Sequence, residues 1–128
     1  MLYVLQKMKL TPTERAEQAH GKERLGIYLS YMRKRPGMYF GAPPYLEPLH
    51  NFLLGYDIAE LCHEVDESHF PSDGFREWLI AEKGLRESCQ GWPGMIREVE
   101  TDVDAQLQLA IDLLAEHGSI PLLDESDV

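Results

Sequence analysis

Four side chains in the middle of the chain could hold a metal ion. Cys62, His63 and Glu64 are consecutive and His69 follows; thiolate, imidazole and carboxylate are all zinc ligands. Their spacing does not match the His-Glu-x-x-His helix of zinc hydrolases, because four residues separate Glu64 from His69. Cys62 also falls near an apolar stripe, where a thiol is ordinary core material. Cys62 or Cys89 could pair with one of the five histidines as a nucleophile and its base, yet neither local sequence resembles an activated cysteine. Asp57, Glu60, Glu64 and Glu67 recur every three or four residues, which puts them on one helical face. In a cleft such carboxylates do acid–base work; on an outward face they solvate the helix or meet a cationic partner. Neither common glycine-rich phosphate loop is present. The expectation is no catalytic residue, no cofactor and no metal.

Charge says more than any single residue. The 128 residues carry 12 Lys and Arg against 22 Asp and Glu, a net charge of −10. Residues 1–35 hold eight basic and three acidic side chains, and residues 36–128 hold four basic and 19 acidic ones. The chain is thus positive at its start, strongly negative after it, and without Lys or Arg beyond Arg97. Such polarity speaks to partners rather than fold. It argues against a nucleic-acid binder, which needs a basic face. With 44% hydrophobic residues the chain can build a core, and two cysteines make no disulfide framework. No run approaches the roughly 18 apolar residues of a membrane span. The opening Met1 to Lys7 has neither a charged n-region nor a small-residue cleavage site, so a cytoplasmic protein is expected.

The elements that must position these residues read as helices. Thr11-Pro12-Thr13-Glu14 is a helix start with a cap, a proline at the first position and a capping box. That helix should run to about Arg33, with an interruption near Gly21, and bury Leu25, Tyr28, Leu29 and Met32. A second is expected from Leu46 to Glu67, with Leu46, Leu49, Phe52, Leu53, Tyr56, Leu61 and Val65 inward and acids outward. A third, capped by Ser72 or Asp73, would bury Phe75, Trp78 and Leu79 and stop at Gly84. A short fourth, with Met95, Ile96 and Val99, would follow a Gly91-Trp92-Pro93-Gly94 turn. The last would bury Val103, Leu107, Ala110, Ile111 and Leu114, capped by Thr101 and Asp104 and stopped at Gly118. The expected fold is all-α: one domain over 1–128, a bundle of four to five helices. Residues 1–10 would form an arm or short strand, and 119–128 an acidic, fraying tail.

Two resemblances attach to the block Arg33-Lys34-Arg35-Pro36-Gly37-Met38-Tyr39-Phe40-Gly41. It is similar to the Arg-Pro-Gly-Met-Tyr-Ile-Gly segment near the start of gyrase-type ATPase domains, and Leu49-His50 resembles the beginning of that family's next helix. Aligned without gaps, the family's catalytic glutamate falls on Gly55 and its magnesium-holding asparagine on Ala59. No Asp-x-Gly-x-Gly lid motif occurs, so the resemblance carries none of the ATPase chemistry. The second reaches further along the chain: Arg35 to Gly41, Phe52-Leu53-Leu54-Gly55-Tyr56, Phe75 to Leu79, Ser88-Cys89-Gln90-Gly91-Trp92, Ile96 and Leu113-Leu114. This order resembles small bacterial immunity proteins encoded beside polymorphic toxins of Rhs or contact-dependent type. Pro93, where that pattern wants a plain helix former, departs from it.

What this resemblance implies is a non-enzymatic protein that binds and neutralises a cognate toxin presenting a basic surface, with no nucleic-acid or membrane partner. Expected partner-facing residues are Asp57, Glu60, Glu64 and Glu67, then Asp102 and Asp104, with Trp92 or Phe70 as aromatic anchors if exposed. Arg35, Pro36, Gly37, Met38, Tyr39, Gly41 and Gly55 read as architecture. Met38, Tyr39 and Phe40 would fasten the first crossover, and Gly55 would permit close helix approach, against Trp92. The alternatives are a non-catalytic helical adaptor or regulatory module for a basic cellular protein, and a small nucleotide binder built on the gyrase-like block.

Overall fold

Thr11 sets the first helix, α1 (Pro12–Gln18): its Oγ accepts from the Glu14 amide at 3.1 Å, and Pro12 takes a position that needs no N–H. The computed structural model describes residues 11–19, 21–62 and 73–128; the proposed arm or strand at 1–10 lies outside them. The chain breaks after Gln18 and restarts as α2 (Gly21–Lys34), so the interruption near Gly21 divides two helices. Arg24 binds them together. Its Nε and NH2 donate to the Ala16 and Ala19 carbonyls at 2.8 and 2.9 Å, the first of which also accepts the Ala19 amide at 3.2 Å.

The Pro36 block folds as a five-residue helix, α3 (Pro36–Phe40), closed at Gly41 with φ +77°, a conformation that suits glycine. Tyr39 and Phe40 pack against the core. Met38 does not: it is 74% exposed. The expectation that all three side chains fasten the crossover is corrected to two, because so short a helix turns only one side inward.

Next come α4 (Leu46–Cys62), α5 (Phe75–Lys83), α6 (Gly91–Val99) and α7 (Val103–Gly118), with a 3-10 turn at Glu125–Asp127. The fold is all-α, with seven α-helices among the described residues; the expected 63–67 end of α4 lies outside them. The core joins Leu25, Leu29 and Met32 of α2 to Leu46, Leu49 and Leu53 of α4, Phe75 and Leu79 of α5, Trp92, Met95 and Ile96 of α6, and Leu107, Ala110, Ile111 and Leu114 of α7. The stripe expected for α7 is therefore the one buried, with Val103 half-exposed at its end.

Three local expectations change. Gly91-Trp92-Pro93-Gly94 is the first turn of α6 rather than a turn before it. Pro93 is tolerated there because the first turn has no internal acceptor for its missing N–H. Val99, the last residue of α6, is 53% exposed. Asp102, not Thr101 or Asp104, caps α7, its carboxylate accepting from the Ala105 amide at 2.9 Å. At α5 Gly74, not Asp73, holds the cap position, without a side-chain bond, and Ser72 lies outside the described residues.

The largest change concerns residues 119–128, expected to fray. Ile120 is buried in the core, and Leu122 packs on it. Leu123 packs on a second cluster of Ala16, Ala19 and Ile27 with Tyr28 and Tyr31. The segment crosses α2 at Gly26, where a Cβ would stand 1.9 Å from the Pro121 carbonyl oxygen. Ile120 is buried and Leu122 and Leu123 half-buried; full burial of one aliphatic side chain contributes about 1.5–3 kcal/mol, which holds the segment down despite its acids.

Candidate functional site

The face proposed on α4 comes apart in three dimensions. Asp57 is half-buried and Glu60 is buried, 9% exposed; Glu64 and Glu67 lie outside the described residues. The helical period explains the inward turn of Glu60. Leu49, Leu53, Tyr56 and Glu60 fall at i, i+4, i+7 and i+11, so this carboxylate shares the core stripe. The Tyr56 phenol is pushed up to about 12, first by burial, then by the charge of the Glu60 carboxylate, to which it also donates a hydrogen bond. The outward side of α4 is instead apolar, with Ile58 61% exposed and Leu54 also out. Gly55 is exposed there, and a Cβ on it would meet nothing within 4 Å. The expected close approach at Gly55, against Trp92, is therefore corrected: this glycine answers no neighbour. Ala59 is exposed on the same helix.

Trp92 is 4% exposed, so the condition attached to it as an anchor is not met. Its ring lies edge-on to Phe75 at 5.4 Å and beside His50 at the same distance. His117 packs on Phe75 and Trp78, with Nε2 2.9 Å from the Asp73 carbonyl. Both described histidines are thus tied to core aromatics. Cys89 is an exposed free thiol. The side chain of Cys62, with His63, His69 and Phe70, lies outside the description; among the described residues no three His, Cys, Asp or Glu side chains gather as a metal site. No helix among them is long and apolar enough to cross a membrane.

Asp102 and Asp104 do stand at the surface, and they bring neighbours. Glu98, Asp102 and Asp104 are exposed and Glu100 half-exposed along the α6–α7 junction, with Val99 open among them. The backbone geometry is fixed from within: the Glu100 carboxylate accepts from the Asp102 amide at 3.1 Å, and Gln106 Nε2 donates to the Glu100 carbonyl at 2.7 Å. Four carboxylates around an exposed valine, on a junction held by hydrogen bonds, can dock a cationic surface. Glu98 and Glu100 were not singled out from sequence, although four acids in seven residues were visible, and Val99 was named only as part of the fourth helix.

Several acids elsewhere form ion pairs. Arg33 pairs with Asp112 at 2.6 Å, Lys83 with Glu116 at 2.8 Å, and Arg97 with Glu47. Arg97 also reaches Gln90 at 2.6 Å, across a groove of about 370 Å³ lined by Glu47, His50, Asn51, Gln90, Pro93 and Arg97. A second groove of about 470 Å³ lies between α2, α7 and segment 119–128.

Comparison with protein-family models, with characterised proteins and with solved structures finds no match for this chain.

Proposed function

We propose that the chain is a non-catalytic binding protein that neutralises a cognate bacterial toxin by covering a basic surface on it. The observation that carries this reading is the Glu98–Asp104 junction: acids and an open valine on a rigid turn, in a chain of net charge −10. Opposed charge accelerates encounter and selects partners, while an apolar centre supplies area that loses water on contact. Toxins that act on nucleic acids need basic clefts, which makes them suited to such a surface. The immunity-protein resemblance supplies the toxin; the chemistry of the junction supplies only a basic partner.

Co-expression with the toxin encoded beside its gene is the test. Growth should be restored, and a complex should form whose affinity falls as salt rises. Glu98→Lys with Asp104→Lys should slow association at least tenfold and leave the fold unchanged. Cell death with the wild-type protein present, or a complex insensitive to both salt and these reversals, would overturn the reading. The adaptor alternative predicts capture of a basic housekeeping protein through the same junction, and no protection from a toxin.

A further inference from the structure

We infer that the groove formed by α1 and α2 beneath segment 119–128 is a binding site for an acidic peptide of a partner protein, which the chain's own segment occupies in cis. The inference does not rest on the α6–α7 junction or on a toxin partner.

The groove holds its occupant mainly by its backbone. Ser30, itself buried, donates its hydroxyl to the Gly26 carbonyl at 2.7 Å and accepts the Leu123 amide at 2.9 Å. Arg15 NH1 donates to the Asp127 carbonyl at 2.7 Å. Lys34 Nζ donates to the Glu125 carbonyl at 3.3 Å and to the Val128 carbonyl. Side chains that clasp main-chain groups hold a peptide whatever its sequence, here a segment that closes in the 3-10 turn at Glu125–Asp127. The missing side chain at Gly26 lets the Pro121 carbonyl lie against the helix. Specificity comes from what projects. Leu123 enters the cluster of Ala16, Ala19 and Ile27, and the acids Asp124, Glu125 and Asp127 belong to a stretch clasped by Arg15 and Lys34. The guanidinium of Arg15 is also held in place, 6.0 Å over the Tyr31 ring.

The site is larger than its present occupant. Space of about 470 Å³ stays open beside it, lined by Ser30, Arg33, Lys34, Gln108, Glu125 and Ser126, among others. A longer side chain than Ser126, or an additional acid, would meet Lys34 there, beside the Arg33–Asp112 pair. The cis segment is joined directly to α7 through Ser119, a non-glycine residue at φ +52°, so it competes at an effective concentration of about millimolar. A partner peptide must exceed it in contacts, and the open space is where those contacts are available.

The test uses the full chain with Leu123→Asp, which removes the apolar anchor and leaves the groove intact. The probe is a fluorescent peptide of residues 119–128, with a scrambled version and one carrying lysine in place of its three acids. The released variant should bind the native peptide saturably and at least tenfold more tightly than the wild-type chain does, and tenfold more tightly than it binds either control peptide. Adding Ser30→Ala to the variant should weaken binding again. If Leu123→Asp loses its helical circular dichroism, Leu123→Ala replaces it, and excess peptide must then raise the melting temperature. A folded, released variant that ignores the peptide, or binds the controls equally, overturns the inference. So does a wild-type dimer at assay concentration that dissociates when peptide is added, which would assign the groove to a second copy.

Discussion

Replacing Gly26 with alanine tests how closely segment 119–128 is seated on α2. At an open helical site this change stabilises by up to about 1 kcal/mol, because alanine is the better helix former. Here the new Cβ would stand 1.9 Å from the Pro121 oxygen and 2.9 Å from its carbonyl carbon. To recover ordinary contact the segment must lift by about 1.5 Å. That motion carries the Leu123 amide beyond hydrogen-bonding range of Ser30 Oγ, now 2.9 Å away, at a cost of about 1–3 kcal/mol. It also draws Ile120 partly out of the core, worth a further fraction of the 1.5–3 kcal/mol of its burial. Against the helix gain, the net loss is about 2 kcal/mol, or roughly 5–10 °C in Tm for a domain of this size. Urea unfolding should show a lower midpoint at unchanged slope, and amide exchange at Leu123 should accelerate. A raised midpoint would refute the reasoning, since it would mean that the segment does not press on α2.

Gly55→Ala supplies the contrasting case: with no atom within 4 Å of the added Cβ, it should stabilise by about 0.5–1 kcal/mol, and a lowered urea midpoint would contradict the open face drawn for α4. Arg24→Ala removes the guanidinium from the Ala19 carbonyl and leaves the Ala16 carbonyl only the Ala19 amide; it should cost about 1.5–3 kcal/mol, concentrated in α1, and unchanged amide exchange over residues 13–18 would count against it. Tyr56 should titrate near 12 instead of its ordinary 10.0. Because the folded value is the higher one, its contribution to stability is complete below pH 10 and is lost as pH rises through 12. Absorbance titration of the phenols should show late ionisation that Tyr56→Phe diminishes; a high-pH end of the curve unchanged in Tyr56→Phe would refute the pairing of Tyr56 with Glu60.

Helix starts and stops written in short-range chemistry were legible. Thr11 and Pro12 at α1, Gly84 after α5 and the apolar stripe of α7 act within a turn or two of chain, so their residue types suffice. The candidate surface was half legible. Asp102 and Asp104 are exposed as expected, but periodicity around α4 has no absolute phase until a neighbour defines the inside. Glu60 could be placed outward with the acids or inward with Leu49, Leu53 and Tyr56. The packing of α4 against the rest of the core chose the second.

The sequence by itself determined an all-α chain, its principal breaks, and a separation of positive and negative charge along its length, because propensity, capping and charge are properties of neighbours in the chain. Only the tertiary structure decided which acids meet water, that Met38 stands out while Trp92 stands in, and that an acidic end lies along α2 instead of fraying. Those outcomes depend on contacts between residues as distant as Gly26 and Pro121, or Ser30 and Leu123. Their free energy exists only once the helices between them have packed.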